Sequence, residues 1–491
     1  MLRLDDAALD TLPLAVDPPR YDRSATSVGI VHVGVGGFHR AHAAMYVDRL
    51  LRGSGNEQWA IGGVGVFAGE RATREAFKAQ DGLYTLMLHE TGQPTTATVI
   101  GSLREYLLAP DDPTAVLERM SHPQTRVVSM TITEGGYAYD VVTGALDVTV
   151  PGIAHDLAHP DGPPTSVFGL VTRALALRRE RGLPAFTVMS CDNVQGNGHV
   201  ARGAFTAFAR EGSPDLAAWM DDNVSFPSSM VDRITPRPTS ADGEEVARTH
   251  GYRDDWALSA EPFTQWVLED DFGNGRPPLE DVGVSVVADV APYEMMKLRL
   301  LNAAHQVLSH VGSLVGLTYV HEACLDPMIG RLVEGYLHEE GMPTVPPVPG
   351  EDLPEYCRQV VRRFSNSAVE DTLHRVSSFG SDRIFTFLLP VVRDQLAAGR
   401  DIRRAVFTVA AWARYCEGVD EQGRAIDYVD LRKDELLEAA RASVDRPLAF
   451  LELPALFGDL AQDERFRSQF ESALTSIRTV GSRRTLEQLL G

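Results

Sequence analysis

Cysteine and basic residues are both scarce in this chain of 491 residues. The four cysteines, Cys191, Cys324, Cys357 and Cys416, form no CxxC pair and no cluster with metal-ligand spacing. We therefore expect no disulfide scaffold, and a reducing, cytoplasmic compartment fits this usage. Lysine and arginine number 46 against 68 aspartates and glutamates, so the formal net charge is −22. That charge argues against binding nucleic acid or an anionic membrane through bulk electrostatics.

Long apolar runs are missing as well. No uncharged apolar stretch approaches the roughly 20 residues that a membrane-spanning helix needs. The first ten residues include three aspartates and no apolar core, so we expect no signal peptide. Hydrophobic residues at 44% and charged residues at 23% are typical of a globular protein. A chain of this length exceeds one ordinary hydrophobic core, which predicts at least two domains.

The first part of the chain alternates strand patterns with helix patterns. Short apolar runs rich in β-branched residues predict strands at 28–33, 59–67, 83–89, 126–133 and 185–191. Helical spacing of apolar residues predicts helices at 40–51, 113–120 and 165–181. This alternation predicts a parallel sheet that helices cover on both faces, which is an α/β domain, and we place it at residues 1–285.

The character of the sequence changes after residue 285. Helix patterns then dominate, at 292–315, 321–339, 353–363, 383–398, 401–417, 432–444 and 463–475. We therefore predict a second, mainly α-helical domain at residues 286–491.

A glycine-rich loop follows the first predicted strand directly. Gly34-x-Gly36 stands after the strand at 28–33 and before a helix pattern, which is the context of a dinucleotide-binding fingerprint. Gly34 is expected to make the tight turn, and Gly36 to let backbone N–H groups approach a pyrophosphate. The third fingerprint position is His39 instead of glycine, and Gly37 stands two places early. The loop thus indicates a Rossmann-type domain with an incomplete fingerprint.

The second predicted strand is followed by an acidic residue, Glu70. A carboxylate at this point of a dinucleotide-binding domain accepts hydrogen bonds from the ribose hydroxyls of NAD and repels the 2′-phosphate of NADP. Arg71 and Arg74 are close in sequence and favour that phosphate instead. We predict NAD as the cofactor and keep NADP as the alternative.

Polar clusters follow three other apolar runs. Glu134 to Tyr137 follow the strand at 126–133, Asp192 and Asn193 follow the strand at 185–191, and Asp232 precedes Arg233 in a third cluster at 230–236. Ligands collect at the carboxyl ends of strands in doubly wound sheets. Turn chemistry alone explains any one cluster, because glycine, asparagine and aspartate favour turns. Two clusters together with the glycine loop favour a ligand site, and Asp232 is either a substrate ligand or half of a structural ion pair.

The predicted helix at 292–315 carries the most informative polar residues. On an α-helix, His305 lies about 80° and Asn302 about 140° around the axis from Lys297, with Glu294 at about 60°. Polar groups on an otherwise apolar helix are costly to bury unless each has a partner. A base and hydrogen-bond donors for an oxyanion are what oxidation of an alcohol requires. A solvated polar stripe is the alternative interpretation of this helix.

The ordered motifs of the chain resemble those of the polyol-specific long-chain dehydrogenases. The resemblance covers nearly the whole chain and rests on these segments: G-V-G-G-F-H-R-A-H at 34–42, Q-D-G-L-Y at 80–84, T-I-T-E-G-G-Y at 131–137, S-C-D-N-x-x-x-N-G at 190–198, V-D-R-I-T-P at 231–236, P-Y-E-M-M-K-L-R-L-L-N-A-A-H at 292–305 and R-F-S-N-x-x-x-x-D-T at 363–372. The resemblance implies oxidation of a linear polyol to its 2-keto sugar with NAD and without zinc.

The resemblance also implies roles in the chemistry. Lys297 is implied to be the general base, Asn193 and Asn302 to hold the alkoxide, and Glu294 to lie on a proton path beside Lys297. An ordinary lysine is a poor base at neutral pH, because its pKa is about 10.4. Burial and the positive end of a helix starting near Pro292 lower such a pKa.

Further residues are implied to bind substrate and cofactor. His305 and Asp232 are implied to bind substrate hydroxyls, and Arg375 to contact the polyol chain. Arg383 is implied to bind substrate as well, at a position where the family commonly has lysine, and arginine differs from lysine in geometry and hydrogen bonding. The cofactor set is Gly34, Gly36, Gly37, Phe38, His39, Arg40, Glu70 and Glu134.

Several alternatives stay open at this stage. D-mannitol and D-fructose are the expected pair, but D-arabinitol, D-sorbitol or a sugar acid such as D-fructuronate also suit the family. Arg375 or Arg383 would then face a carboxylate. A non-catalytic NAD-binding sensor is the alternative from another class. The resemblance suggests a monomer, and the expected active site lies between the two domains.

Three local patterns suggest other chemistry. Tyr293-x-x-x-Lys297 mimics the Tyr/Lys pair of short-chain dehydrogenases, although chain length disfavours that assignment. His39 and His42 suggest a metal without a third ligand in view. Cys191 beside Asp192 suggests a nucleophile, and a small buried residue at a strand end is the simpler interpretation.

Overall fold

The computed structural model of the protein describes residues 1–141 and 143–491, and the side chain of Glu134 lies outside the described part. The chain divides into two compact units, Met1–Ala291 and Pro292–Gly491. The domain limit at 285/286 stays a prediction. Each unit has its own secondary structure and is described in turn.

The first unit combines strands with helices. Its strands are β1 (Leu2–Arg3), β2 (Val16–Asp17), β3 (Val28–Val33), β4 (Ala60–Gly65), β5 (Tyr84–Leu88), β6 (Thr96–Ile100), β7 (Leu103–Leu108), β8 (Val127–Met130), β9 (Tyr139–Asp140), β10 (Ala145–Leu146), β11 (Thr187–Ser190), β12 (Ser229–Asp232), β13 (Tyr252–Arg253), β14 (Leu258–Ala260), β15 (Gln265–Glu269) and β16 (Ser285–Val287). Its helices are α1 (Gly37–Ala41), α2 (Ala43–Leu51), α3 (Arg71–Ala79), α4 (Pro113–Ser121), α5 (Pro151–Ala158), α6 (Val167–Glu180), α7 (Asn197–Gly212), α8 (Pro214–Asn223) and α9 (Ser240–His250).

A five-stranded parallel sheet forms the centre of this unit, with the strand order β11-β8-β3-β4-β7. In chain order this is 5-4-1-2-3, the doubly wound arrangement of a Rossmann-type domain. The order reverses between β3 and β8, and ligands bind at such a switch point. The predicted parallel sheet is therefore confirmed, and the glycine loop after β3 lies at its switch point.

Helices cover both faces of this sheet. All six residues of β3 are buried. One apolar cluster includes Phe168 of α6 and Phe205 of α7, and a second, separate cluster includes Tyr46 of α2 and Trp266 of β15. Burial on both faces explains why the strands are near-continuous apolar runs instead of alternating ones.

Two strand assignments differ from the prediction. The run at 83–89 does form a strand, β5, but it belongs to a second sheet of order β14-β5-β6-β2 instead of the central one. The remaining central strand is β7, L-R-E-Y-L-L, in which the adjacent Arg104 and Glu105 break any simple alternation. Sequence periodicity predicts that a segment forms a strand, but it does not predict which strand it pairs with, because pairing depends on contacts distant in sequence.

The second unit is built mainly from helices. They are α10 (Ala291–Met296), α11 (Ala303–Leu314), α12 (Val320–Leu325), α13 (Pro327–Gly335), α14 (Leu353–Phe364), α15 (Leu373–Ser377), α16 (Gly380–Arg383), α17 (Leu389–Ala397), α18 (Arg403–Tyr415), α19 (Lys433–Ala442), α20 (Pro454–Phe457), α21 (Glu464–Val480) and α22 (Ser482–Leu490), together with three π-helices at Lys297–Asn302, Tyr336–Gly341 and Ile384–Leu388.

The π-helices correct three sequence predictions. The helices predicted at 292–315, 321–339 and 383–398 are not continuous α-helices. The first and the third each contain a π-helical segment, whereas the second is interrupted at Asp326 and runs into the π-helix Tyr336–Gly341. In the first, the Ala303 N–H donates to the carbonyl of Leu298, five residues back. Apolar spacing does not reveal this wider turn, since periods of about four residues per turn fit the same apolar positions.

Candidate active site

The glycine loop makes a sharp turn at the end of β3. Gly34 has φ +88°, a left-handed conformation that favours glycine. A Cβ on Gly34 would lie 2.3 Å from the carbonyl oxygen of Thr131, which follows β8. The Thr131 hydroxyl donates to the Gly34 carbonyl at 2.7 Å. Gly34 is thus required both by its backbone angle and by the close approach of the neighbouring strand.

Gly36 and Gly37 form the outer part of the loop. Gly36 is exposed, and a Cβ there would meet no atom within 4 Å. A Cβ on Gly37 would lie 2.9 Å from the ring of Pro238. Gly36 is the N-cap of α1, and the first N–H groups of a helix have no partner within it. The loop therefore offers open space and backbone donors where an anionic group can approach.

His39 occupies the third fingerprint position and is buried. Its ring stacks on His32 of β3 with 3.4 Å between ring centroids. Neither ring nitrogen of His39 has a hydrogen-bond partner among the described residues. Burial, reinforced by His32 and His42, holds the pKa of His39 well below its usual range, so the ring is neutral. His39 fills the position by packing against the strand, and Phe38 stacks on His42 at 5.0 Å.

The structure gives Arg40 a structural role. Its guanidinium lies 4.6 Å from the ring of Trp256 and 5.2 Å from that of Tyr84, and it donates to the Trp256 carbonyl. The side chain is buried. These contacts hold its charge inside the unit, and the assignment of Arg40 to the cofactor stays a prediction.

Glu70 lies just after β4, as predicted. One of its carboxylate oxygens accepts the N–H groups of Val66 and Phe67, each at 2.8 Å. Glu70 thus closes its own loop and fixes the carboxylate at the end of the strand. The neighbouring Arg71 and Arg74 both pair with Asp111, at 2.5 and 2.6 Å. Asp111 therefore competes with a 2′-phosphate for the two arginines.

Asp192 organises the loops at the switch point. Its carboxylate accepts the N–H groups of Ile132 at 3.1 Å and Thr133 at 2.7 Å, and Oδ2 lies 2.7 Å from the hydroxyl of Tyr137. Thr133 has φ +65°, an uncommon conformation outside glycine that three nearby hydrogen bonds hold in place. Sequence reasoning missed this role, although the S-C-D-N motif contains the residue.

Asn197 is a second residue that sequence reasoning missed. It is buried, and its amide nitrogen donates to the carbonyls of Asp192 at 2.9 Å and Ser229 at 2.7 Å. Its oxygen accepts the Ser229 N–H at 2.9 Å. Asn197 thereby ties the loop that carries the exposed Asn193 to β12, whose last residue is the buried Asp232.

Arg233 does not act as a simple ion-pair partner of its neighbour. It donates to the backbone carbonyls of Glu261 at 2.9 Å and Ala41 at 2.6 Å. Burial lowers the pKa of Arg233 to about 10. The residue fastens the end of β12 in place, which fixes the position of Asp232.

In the second unit, the four predicted polar residues Glu294, Lys297, Asn302 and His305 are all buried. Lys297 and Asn302 are the first and last residues of the π-helix. On an α-helix, a step of five residues rotates the side chain about 140° past one full turn. On a π-helix, whose hydrogen bonds join residues five apart, the same step corresponds to roughly one full turn. The π-helix therefore places Asn302 much closer to the face of Lys297 than the helical wheel predicted.

His305 lies one turn further along, on α11. Its ring stacks on Phe364 of α14 with 4.1 Å between centroids. Burial holds the pKa of His305 well below its usual range, and Arg375, Arg383, Arg363 and Lys297 lower it further. His305 is thus neutral, and Nε2 has no hydrogen-bond partner among the described residues. A buried nitrogen without a partner is costly unless a ligand or water satisfies it.

Arg375 and Arg383 belong to one local arrangement. Arg375 on α15 makes two hydrogen bonds to Asp371, each at 2.5 Å. Arg383, at the end of α16, donates to the carbonyls of Arg375 at 3.2 Å and Val376 at 2.6 Å. The unit thus gathers cations around the neutral His305.

The competing patterns find structural explanations. The Tyr293 hydroxyl donates to the Pro349 carbonyl at 2.7 Å, which commits the phenol that a short-chain mechanism needs. Burial, assisted by the charge of Asp192, raises the pKa of Cys191 to about 12 and makes it a poor nucleophile. All four cysteines are free thiols. Among the described residues, no group of three or more His, Cys, Asp or Glu side chains could hold a metal ion.

Both units match known protein families. A family model described as the mannitol dehydrogenase Rossmann domain matches residues 28–281, and one described as the mannitol dehydrogenase C-terminal domain matches residues 289–478. The mannitol 2-dehydrogenase of Phaeosphaeria nodorum is 44% identical over 477 residues, which are 96% of this chain and 83% of that relative. The chain therefore belongs to the mannitol dehydrogenase family, which confirms the resemblance and the Rossmann-type fold class.

Two solved structures cover essentially the whole chain. The mannitol 2-dehydrogenase of Pseudomonas fluorescens, in a ternary complex with NAD and D-mannitol, matches with a TM-score of 0.92 and 41% identity, covering 100% of this chain and 99% of that one. A D-sorbitol dehydrogenase in substrate-free form matches with a TM-score of 0.90 and 39% identity, covering 99% and 100%. No described helix is long and apolar enough to cross a membrane.

Proposed function

We propose that this protein is an NAD-dependent polyol dehydrogenase that interconverts D-mannitol and D-fructose. The observation that carries this proposal is the full-length match, at 41% identity and a TM-score of 0.92, to a mannitol 2-dehydrogenase solved with NAD and D-mannitol. The buried Lys297 and Asn302 support it, because they supply the base and the oxyanion donor that oxidation of an alcohol requires.

The glycine loop and Glu70 are proposed to hold NAD. Gly36 leaves open space in which a pyrophosphate can lie. The first N–H groups of α1 would donate hydrogen bonds to it. Glu70 is fixed at the end of β4, where a carboxylate accepts the ribose hydroxyls. When bound, NAD accepts the hydride from the polyol carbon. Gly37, Phe38 and His39 shape the loop, while Glu134 stays a prediction whose side chain lies outside the described part.

Side chains of this protein are proposed to accept the hydroxyl proton of the polyol and to stabilise the negative charge that develops on its oxygen. Lys297 takes the hydroxyl proton, and Glu294, buried one turn earlier, passes it toward solvent. The amides of Asn193 and Asn302 donate to the oxygen that becomes an alkoxide. His305 and Asp232 bind further hydroxyls, and the neutral state of His305 lets it donate or accept. Arg375 contacts the polyol chain, with Arg383 behind it.

The choice of NAD over NADP follows from the charges after β4. Replacing Glu70 with alanine is expected to weaken NADH binding far more than NADPH binding, because the carboxylate favours the ribose diol and repels a 2′-phosphate. Fluorescence titration with both cofactors measures this. Equal losses for the two would remove Glu70 from cofactor selection, and Arg71 and Arg74, now paired with Asp111, would be the next residues to vary.

The activity is tested by NADH consumption with D-fructose, D-fructuronate, D-tagaturonate and D-xylulose side by side, followed by identification of the hexitol formed. Fast turnover with D-fructose and D-mannitol as the product supports the proposal. D-sorbitol as the product would shift the assignment to the D-sorbitol alternative, which the second structural match also favours. A uronate preference would contradict a polyol substrate, and no turnover at all would favour a non-catalytic sensor.

We infer from the resemblance that the protein acts as a monomer in the cytoplasm. Light scattering coupled to size-exclusion chromatography tests the first point, with 53.6 kDa expected for one chain. A mass near twice that value would contradict it.

A further inference from the structure

Arg375 is bound by a carboxylate of its own chain. Its Nε lies 2.5 Å from Oδ1 of Asp371, and Nη2 lies 2.5 Å from Oδ2. The Asp371 side chain is only 4% exposed, whereas that of Arg375 is 41% exposed. This is the bidentate geometry in which an arginine binds a carboxylate most strongly. The arginine that the proposed function assigns to the substrate therefore already carries a matched counter-charge.

Asp371 is held firmly by the backbone around it. Its carbonyl accepts the Val320 N–H at 2.9 Å, and its own N–H donates to the Val369 carbonyl at 2.8 Å. The next residue, Thr372, caps α15, and its hydroxyl accepts the Arg375 N–H at 3.2 Å. The backbone that carries the carboxylate and the guanidinium is thus fixed, with the two residues four positions apart across one helix start.

The pair leaves Arg375 with donors but without free charge. A guanidinium has five N–H groups, and Asp371 takes one from Nε and one from Nη2. Three N–H groups remain, on the other side of the fork, and these can donate to a hydroxyl. A substrate carboxylate at the same place would stand close to Asp371 and be repelled.

Arg383, the second arginine that could bind a substrate carboxylate, also donates hydrogen bonds within its own chain. Arg383 donates through Nη1 to the carbonyls of Arg375 and Val376, and the Gln306 amide donates to the Val376 carbonyl as well, at 2.9 Å. Arg383 thus braces the last turn of α15. Both arginines that could receive a sugar acid are therefore directed at groups of this chain.

We propose that Asp371 is a specificity-determining residue, which cancels the charge of Arg375 so that the site accepts uncharged polyols and ketoses and rejects sugar acids. The inference rests on the proposed function, since it takes Arg375 as a substrate contact. It goes further by assigning the discrimination to a residue that does not itself touch the substrate.

The test uses the variant Asp371→Asn. Its side chain keeps the shape of aspartate and one acceptor oxygen but carries no charge. The ratio of kcat/KM for D-fructuronate to that for D-fructose is expected to rise at least about tenfold, because an unpaired arginine binds a carboxylate. Asp371→Glu, which keeps the charge, is expected to leave the ratio close to that of the wild type. An unchanged ratio in a folded Asp371→Asn protein would overturn the proposal.

Asp420→Asn is the matched control. Asp420 also pairs with an arginine four residues on, Arg424, at 2.6 Å, and its side chain is 5% exposed. This variant is expected to leave the substrate ratio unchanged. A rise equal to that of Asp371→Asn would also overturn the proposal, because general loosening of the unit would then explain both.

A wild-type measurement covers the case in which Asp371→Asn does not fold. D-gluconate is expected to inhibit D-fructose reduction no better than neutral D-sorbitol, with little dependence on salt. Much stronger, salt-sensitive inhibition by D-gluconate would reveal an uncompensated cation and contradict the inference. Wild-type turnover of D-fructose is scored separately, so failure of the proposed function is distinguishable from failure of this assignment.

Discussion

Among single residues, Gly36 gives a direct test of the cofactor site. We expect Gly36→Thr to fold normally, because φ is −88°, a Cβ meets no atom within 4 Å, and threonine serves as an N-cap. The added side chain fills the space that a pyrophosphate would occupy, so NADH affinity should fall at least about tenfold. Fluorescence titration measures the affinity, and thermal unfolding checks the fold.

Gly212→Thr is the control for this prediction, since a Cβ on Gly212, at the end of α7, also meets open space. It should leave NADH affinity unchanged. An unaltered affinity in Gly36→Thr would place the pyrophosphate elsewhere.

Asn302 tests the stabilisation of the alkoxide. Replacing it with alanine should lower kcat about 100- to 1000-fold, as removal of one oxyanion donor does in other enzymes. Asn302→Asp, which keeps the shape but cannot donate when ionised, should fall as far. Turnover of either variant close to that of the wild type would exclude this residue from the reaction, while a change confined to KM would assign it to substrate binding.

Residue types with special backbone or chemical needs could be predicted from the sequence. Gly34 could be predicted because a tight turn after a strand requires glycine, and Lys297 because it shares a face of an otherwise apolar helix with Glu294 and His305. Asp192 and Asn197 were not recognised, because their partners are backbone groups of loops far away in sequence. The contacts of Arg40 with Tyr84 and Trp256 could not be predicted either, because both rings lie far along the chain.

Among the secondary-structure elements, the π-helix at Lys297–Asn302 has the clearest functional consequence. Its wider turn brings Lys297 and Asn302 toward one face, whereas the predicted α-helix separated them by about 140°. The existence of a helix there could be predicted from apolar spacing, but the extra residue in the turn could not. Packing against neighbouring helices decides such a turn, and one sequence carries no signal for it.

A second π-helix supplies a prediction on pH. Glu340 in Tyr336–Gly341 is buried and accepts the N–H groups of Arg404 and Ala405 at the start of α18, each at 2.8 Å. Burial raises its pKa from about 4.5 to about 7. The folded state therefore holds a proton that the unfolded chain has lost, and this stability, about 3 kcal/mol, is present below pH 4.5 and lost as the pH rises through 7.

Glu340→Gln removes this titration. Urea unfolding between pH 5 and pH 8 measures the free energy of unfolding of the wild type and of Glu340→Gln. The difference between the two proteins at each pH isolates the contribution of Glu340. The wild type should lose stability relative to the variant as the pH rises. A difference that stays constant with pH would show that Glu340 does not titrate in this range.

For the whole molecule, the division of labour between the two units makes a prediction. The proposed NAD site lies in Met1–Ala291, whereas the proposed base lies in Pro292–Gly491. NADH at 100 times its Kd should stabilise the folded protein by about 2.7 kcal/mol. Lys297→Ala should show the same rise in Tm by differential scanning calorimetry, and Gly36→Thr should show almost none. Loss of the rise in both would contradict this division.

The two-part organisation itself could be read from the sequence, because strand and helix patterns give way to helix patterns alone near residue 285. The proposed function depends most on Lys297 as the general base. A lysine buried to 7% exposure is costly to keep unless it works or is paired.

The most direct test is therefore the oxidation of D-mannitol by wild-type protein and by Lys297→Ala, with NADH affinity measured alongside. We expect kcat to fall at least about 1000-fold while the Kd for NADH changes by less than about threefold. Near-normal turnover in Lys297→Ala would contradict the role of Lys297 as general base, because hydride transfer would then proceed without it.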